Sequence, residues 1–376
     1  MKDGIRLFKI FGIEITLDFS WFIIFFLVTW NLASGYFPFM YPFFGKGTNW
    51  IIGTFSSLLL FATVLLHELS HSVVANMNGL NIKGIKLFVF GGVAQLSQEP
   101  QTARVEFDIA IAGPICSFIL HFIFKWLAFV LASVMPMGIH NPITAVCSYL
   151  AMINMLLGVI NLIPAYPLDG GRVLRAFIWS RTNNLRTATS VASMVGKVFA
   201  VFIIFEGFME VMHGDASGLW YVFIGMFLFW AAKSGYEQIL VRDLLNAAYV
   251  RNVMSSNVIA IDANTTLDEA VESYFLKYHH SSFPVCNGGD VKGMLGISRV
   301  KEISRDKWMS TKVIECMEKI QKINIISPYE KTVNILNRFV ENELDHLLVM
   351  DGEKLVGIVT RVDIMKLLKV KMDLGK

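Results

Sequence analysis

Charge is scarce in the first two-thirds of this 376-residue chain. Residues 1–235 carry 14 Lys/Arg and 11 Asp/Glu, whereas residues 236–376 carry 19 of each. A stretch so poor in charge, in a chain that is 54 % apolar, excludes an ordinary soluble domain or a disordered tail and reads as a membrane domain. The remainder reads as soluble. The net charge of +3 comes wholly from the membrane part, so it reports topology and argues for no nucleic-acid partner. Cysteine is also scarce. Cys116, Cys147, Cys286 and Cys316 have neither metal nor redox spacing, which excludes a disulfide framework; they read as small apolar fillers in a reducing compartment. A cleavable signal is missing as well, since Met1–Thr16 begins polar and lacks a small-residue cleavage site.

What is present is a series of apolar runs. A span needs about 20 residues, and six runs qualify: about Leu17–Gly35, Trp50–Ala75, Ile109–Met135, Ile143–Ile163, Val191–Met212 and Gly218–Ala232. Lys197, Glu206 and Glu210 interrupt the fifth; Glu210 fits an interface position, and nothing in the sequence accounts for Glu206. The loops alternate in charge. Lys2, Arg6 and Lys9 precede the first run, Lys83, Lys86 and Arg104 lie between the second and third, and Arg172, Arg175, Arg181 and Arg186 follow the fourth. The segments Met135–Pro142 and His213–Ser217 carry no Lys or Arg. This alternation predicts a multi-pass protein of the cell membrane with both termini, and the soluble part, in the cytoplasm.

At the end of the second run stands His67-Glu68-Leu69-Ser70-His71. On a helix this spacing sets two imidazoles one turn apart on one face with a carboxylate beside them. Neutral imidazoles suit Zn²⁺, and the Glu suits a general base that activates water. A helix-borne pair needs a third ligand. Asp169 is the candidate, in Asn161-Leu-Ile-Pro-Ala-Tyr-Pro-Leu-Asp169-Gly-Gly-Arg172, directly after an apolar run without a charged residue. Pro164 and Pro167 deny helix continuation, and Gly170-Gly171 allow a sharp turn that would point the carboxylate sideways into a bundle. Local chemistry alone leaves two readings open, a ligand or a capping Asp. Depth adds to the first: His67 lies 17 residues past Trp50, about 25 Å along a helix in an apolar core about 30 Å thick. Asp169, at the end of the fourth run, falls at the same level.

The two motifs, in this order and on separate hydrophobic segments, resemble those of the site-2 protease family of intramembrane metalloproteases. Phe90-Gly91-Gly92 and Ala112-Gly113-Pro114 resemble further landmarks of that family, and the likeness covers roughly residues 1–240. The resemblance implies one zinc held by His67, His71 and Asp169, Glu68 as the catalytic base, and a transmembrane segment of another protein as substrate. Asn161, part of the matched motif, would donate to the developing oxyanion or hold the substrate backbone. Asn154, in the same run, either shares this task or serves a helix–helix hydrogen bond. The segment Ile82–Gln95 contains a β-rich run followed by Gly91 and Gly92, and predicts a re-entrant hairpin whose strand edge receives an unwound substrate.

Residues 241–376 contain an internal repeat, 250–304 and 313–370, each reading strand, helix, strand, strand, helix. Val253-Met254-Ser255 matches Cys316-Met317-Glu318, and Ser282-Phe283-Pro284-Val285 matches His346-Leu347-Leu348-Val349. A repeat of this size that cannot bury its own faces pairs with its copy. It resembles a tandem of cystathionine-β-synthase-type (CBS) domains, modules that bind ATP, ADP or AMP and commonly self-associate. The resemblance assigns ribose contacts to Thr360 and Asp363; the first copy has Gly296 and Arg299 there. A purely structural or dimerising repeat remains the alternative.

The expected fold is therefore a polytopic α-helical membrane protein of about six spans with a C-terminal soluble α+β CBS pair. Three functions fit such an architecture. An intramembrane zinc endopeptidase regulated by the CBS pair fits best. A CBS-regulated channel or transporter would line the full membrane thickness with polar groups, and a catalytically dead binding protein would have a broken triad. None of His67, Glu68, His71 or Asp169 is substituted.

Overall fold

The computed structural model describes residues 4–89, 91–96, 100–135, 138–246, 248–288, 290–320, 324–341, 344, 346–352 and 354–373. Phe90, one of the family landmarks, lies outside them. The chain divides into two compact units, Met1–Glu237 and Gln238–Lys376.

The first unit begins with a hairpin, β1 (Ile5–Ile10) and β2 (Ile13–Leu17), turned at Phe11-Gly12 with φ of 50° and 82°. Then come α1 (Ser20–Asn31), a π-helical turn over Leu32–Tyr36, α2 (Phe37–Met40) and α3 (Lys46–Met77). A second hairpin follows, β3 (Ile82–Phe88) and β4 (Gly91–Leu96), then α4 (Ala103–Val134), α5 (Pro142–Asn161), α6 (Asp169–Thr182), α7 (Leu185–Met212) and α8 (Gly218–Asn246). Polar caps mark the helix starts. Thr102 accepts from the Val105 amide at α4, Asn141 precedes Pro142 at α5, and Asn184 accepts from Thr187 at α7.

Among the described residues five helical segments are long and apolar enough to cross a membrane: Ser20–Met40, Lys46–Met77, Ala103–Val134, Pro142–Asn161 and Leu185–Met212. The sixth expected span falls on α8. Its apolar run is rich in Trp and Tyr, which favour the membrane interface, and Lys233 and Glu237 follow within the same helix. Glu206 and Glu210 point outward from α7, so neither serves the bundle interior.

The expected hairpin over Ile82–Gln95 is present, but it belongs to a larger sheet of order β1-β2-β3-β4. The outer pairs are antiparallel, while β2 and β3 run parallel from Glu14↔Gly84 to Leu17↔Leu87. Parallel pairing needs a crossover, and α1 to α3 supply it. Asp18 ties the sheet to the start of α1. Lys86 on β3 donates to its carboxylate, and with the Ser20 amide it holds that carboxyl well below the usual Asp range. The sheet's inner face, Ile13, Leu17, Ile85 and Leu87, packs with Phe61, Leu69 and Ala75 of α3 and Ile109 of α4. The sheet thus lies against the end of α3 that carries the His-Glu-x-x-His motif.

Among the described residues the second unit has two sheets. Its elements are β5 (Ile261–Asp262), α9 (Leu267–Ala270), α10 (Leu276–Tyr278), β6 (Ser282–Asn287), β7 (Asp290–Gly296), α11 (Ile297–Lys301), α12 (Val313–Cys316), β8 (Glu318–Lys319), β9 (Ile325–Ile326), α13 (Thr332–Glu341), β10 (His346–Asp351), β11 (Lys354–Thr360) and α14 (Arg361–Asp373). The sheet orders are β5-β6-β7-β8 and β11-β10-β9. The repeats exchange their leading segments. Glu318, at the head of the second repeat, pairs with Met294 in the first, and Ser255, at the head of the first, bridges to Ile358 in the second. The packing repeats with them. A Cβ on Gly293 would lie 2.6 Å from Met317 Sδ, and one on Gly357 2.6 Å from Met254 Sδ. Each repeat closes over the other's core, which meets the need of a small repeat to bury its face.

Candidate metal centre

The two histidines share one face of α3 because they are four residues apart. Both are buried, His67 at 2 % and His71 at 5 % exposure. The orientation of each imidazole is fixed by α4. Ile109, Gly113 and Ser117 recur every four residues and so form one stripe. His71 Nδ1–H donates to the Ile109 carbonyl at 2.6 Å, and His67 Nδ1 meets the Ser117 hydroxyl at 2.8 Å. A carbonyl can only accept, so the proton of neutral His71 is on Nδ1 and its Nε2 presents a lone pair. Gly113 sits between these two contacts. A Cβ there would stand 2.5 Å from His67 Nε2 and closer still to His71 Nε2.

Asp169 reaches the same point from α6. Both prolines of the motif lie in the connection from α5, as expected. The two glycines do something other than turn the chain. They occupy the first turn of α6, without positive φ, where a Cβ on Gly170 would strike the Leu162 and Ile163 carbonyls and one on Gly171 would strike the Tyr166 backbone. Their function is close approach: the start of α6 lies directly against the end of α5. Asp169 then stands in the first turn, where the helix dipole favours a carboxylate. Its Oδ2 lies 3.1 Å from His67 Nε2 and 3.2 Å from His71 Nε2, and the two Nε2 atoms are 3.3 Å apart. Tetrahedral zinc with bonds of about 2.0–2.1 Å needs ligand–ligand edges of about 3.3–3.4 Å. Three converging electron-pair donors at this spacing, two with their far nitrogens already tethered, fit such a cation. Among the described residues this is the one group of His, Cys, Asp or Glu so arranged.

Glu68 contributes no atom to that group. One residue on from His67, it turns toward β4, where a Cβ on Gly92 would stand 2.5 Å from its Cγ. Glu68, Gly91, Gly92 and Asn161 line one cavity of about 570 Å³ with the triad. Asn154 does not. It is fully buried, donates from Nδ2 to its own helix at Leu150 (2.8 Å), and its Oδ1 has no partner among the described residues.

Sequence reasoning missed the support of α6. Glu106, on the first turn of α4 and wholly buried, accepts from Arg175 Nε at 2.7 Å and from Arg175 Nη2, with Arg172 Nε 3.9 Å away. Two of the arginines counted as topological loop charges are therefore bound to a buried carboxylate. The signal was faint: an i, i+3 arginine pair and a lone Glu some 70 residues apart.

In the second unit Thr360 and Asp363 share a separate cavity of about 590 Å³ with His279, His280, His346 and Lys366. Asp363 Oδ2 accepts from the Thr360 amide (3.0 Å) and hydroxyl (2.7 Å), capping α14. In the first repeat Arg299 instead pairs with Glu302 at 2.5 Å.

The chain is similar to known proteins along nearly its whole length. The profile of Peptidase family M50 matches residues 55–137 and 133–204, and that of the CBS domain matches 250–306 and 300–370. Rip3 of Mycobacterium tuberculosis, which bears a zinc metalloprotease name, is 31 % identical over 98 % of this chain and 94 % of its own. A zinc metalloprotease of Methanocaldococcus jannaschii is 28 % identical over 98 % and 97 %. The solved site-2 protease from that organism is 30 % identical, covering 62 % of this chain and 95 % of its own, with a TM-score of 0.43. With a relative 31 % identical along nearly its whole length, this chain, poor in charge through its first unit, with two imidazoles and a carboxylate brought together there and a CBS pair behind, belongs to peptidase family M50, the site-2 protease family of intramembrane zinc metalloproteases.

Proposed function

We propose that this protein performs regulated intramembrane proteolysis, hydrolysing peptide bonds in or near the transmembrane segments of other proteins. The observation that carries the reading is the triad of His67, His71 and Asp169, with donor atoms 3.1–3.3 Å apart, its two histidines on α3, a helix long and apolar enough to cross a bilayer. These three would hold one Zn²⁺, which when bound would supply Lewis-acid polarisation of the scissile carbonyl and acidification of water. Glu68 takes the proton of the attacking water and returns it to the leaving amine. Asn161 donates to the oxyanion or to the substrate backbone. Helical peptide bonds are shielded, so the substrate must unwind. β4 has no second strand partner among the described residues, and its edge, with Gly91 and Gly92 beside Glu68, receives the extended segment. Cleavage of a membrane-embedded reporter should stop on chelation and return with zinc, and Asp169→Ala should weaken zinc binding as well as rate. A reporter cut equally well by metal-free protein would end this reading.

The termini and the CBS pair are cytoplasmic in this proposal, and the pair is a surface for homo-oligomers. It also binds ATP, ADP or AMP at Thr360 and Asp363, and so alters proteolysis. The carboxylate oxygen of Asp363 not engaged by Thr360 accepts from the ribose hydroxyls. Asp363→Ala should weaken nucleotide binding by about 1–3 kcal/mol, the cost of an unpaired polar group. Calorimetric titration of the full-length protein with each nucleotide tests this; no binding at millimolar concentration makes the pair a scaffold.

A further inference from the structure

Tyr166 lies between the two prolines of the α5–α6 connection, three residues before Asp169, and glycines from three helices enclose it. A Cβ on Gly171 of α6 would fall within 3.0 Å of its amide nitrogen, one on Gly196 of α7 within 3.0 Å of its carbonyl oxygen, and one on Gly235 of α8 within 3.0 Å of its ring. Side chains do not tolerate such distances, so at each position a larger residue must displace Tyr166 or its own helix. The fourth side is charged. The Arg175 guanidinium stands 5.5 Å from the ring centroid and is itself bound to buried Glu106 of α4. The ring thus meets α8 at Gly235 and α6 at Arg175, through which α4 is linked, while α6 and α7 close on the backbone of the same residue. The connection's own backbone bonds are short-range: Ile163 N–H to the Ile160 carbonyl, Ala165 N–H to the Ile163 carbonyl, Leu168 N–H to the Ala165 carbonyl, and the Leu168 carbonyl accepting from Gly171 and Arg172.

We infer that Tyr166 is a positioning residue, which sets the placement of the Asp169 carboxylate by locking the α5–α6 connection to α4, α6, α7 and α8. A ligand oxygen that must stay 3.1 and 3.2 Å from two fixed imidazole nitrogens tolerates displacements of only tenths of an ångström. The helix that closes on the ring, α8, also supplies Phe227 and Ala231 to the cavity wall. Metal affinity thus depends on where α8 stands, through Gly235 and Tyr166. The inference rests on Asp169 being a ligand.

The test uses full-length protein in detergent, with zinc affinity measured by chelator competition and the coordination sphere by the visible spectrum of the cobalt(II) form. Tyr166→Leu keeps apolar bulk but loses the ring, and Gly235→Ala drives a methyl into it. Each should weaken zinc binding by about 10–100-fold, as for other groups that orient a metal ligand, and shift the cobalt bands. Tyr166→Phe, which keeps the ring, should retain most of the affinity that Tyr166→Leu loses. In the double variant Gly235→Ala should add little, because its effect passes through the ring. Natural affinity and spectrum in Gly235→Ala, or a full Gly235→Ala effect persisting beside Tyr166→Leu, would overturn the inference. Asp169→Ala is measured alongside. If it binds zinc as tightly as the natural chain, the ligand reading itself has failed; if it loses zinc while the Tyr166 and Gly235 variants do not, only the present inference has failed.

Discussion

Glu68→Gln is expected to bind zinc as the natural chain does and to lose cleavage by about 10²–10⁴-fold, the usual contribution of a general base. The grounds are geometric. The converging donor atoms belong to His67, His71 and Asp169, while Glu68 packs on Gly92 and lines the shared cavity beside them. The amide keeps the size of the carboxylate, so the contact with β4 survives, but it cannot take a proton. Metal content and reporter turnover on the same purified sample decide the matter. Turnover within about tenfold of the natural chain removes Glu68 from proton transfer, because so small a loss is below what a base contributes. Loss of zinc together with turnover makes it a ligand.

Gly113→Ala should be nearly as damaging by a different route. The added methyl would stand 2.5 Å from His67 Nε2 and nearer to His71 Nε2, on the side where the donors converge. Neither ring can give way freely, because Ser117 and the Ile109 carbonyl hold their far nitrogens. Overpacking of this kind costs about 1–3 kcal/mol in a core, and here α4 or both imidazoles must move. Zinc affinity should fall by at least about the 10–100-fold seen when the groups that orient ligands are lost. Chelator competition measures it. A Gly113→Ala protein with natural zinc affinity would mean that α4 shifts without disturbing the rings, and that the stripe Ile109–Gly113–Ser117 does not fix them.

The parts of the site that were legible in sequence are those governed by local geometry. Two histidines four apart declare themselves once the helix is assumed, and the Asn161–Asp169 motif is compact. The reason for Gly170-Gly171 was not legible, because the atoms they avoid include the Leu162 and Ile163 carbonyls at the end of the preceding helix. Glu106 and Arg175 were hidden for a similar reason: their pairing is a property of α4 against α6, not of either segment. The β1–β2 hairpin carries a visible alternation in Ile13, Ile15 and Leu17, but its place is settled by parallel pairing with β3 some 70 residues on. In the second unit the repeat was plain, whereas the exchange of leading segments depends on tertiary pairing, to which Met254 and Met317 add matching contacts.

The length of α3 has a consequence for the lipids around it. With 32 residues it extends about 48 Å, against a hydrocarbon layer of about 30 Å, and α4 matches it. Such helices must tilt or project, and the balance shifts with hydrophobic mismatch. His67 lies about 32 Å along α3 from Lys46, a length about equal to the thickness of that layer. A bilayer of longer acyl chains would set the triad deeper in hydrocarbon and leave it drier; one of shorter chains would bring it nearer the headgroups and their water. The host membrane thereby becomes part of the catalytic environment, and the same polypeptide should meet a different supply of water in a thin membrane than in a thick one.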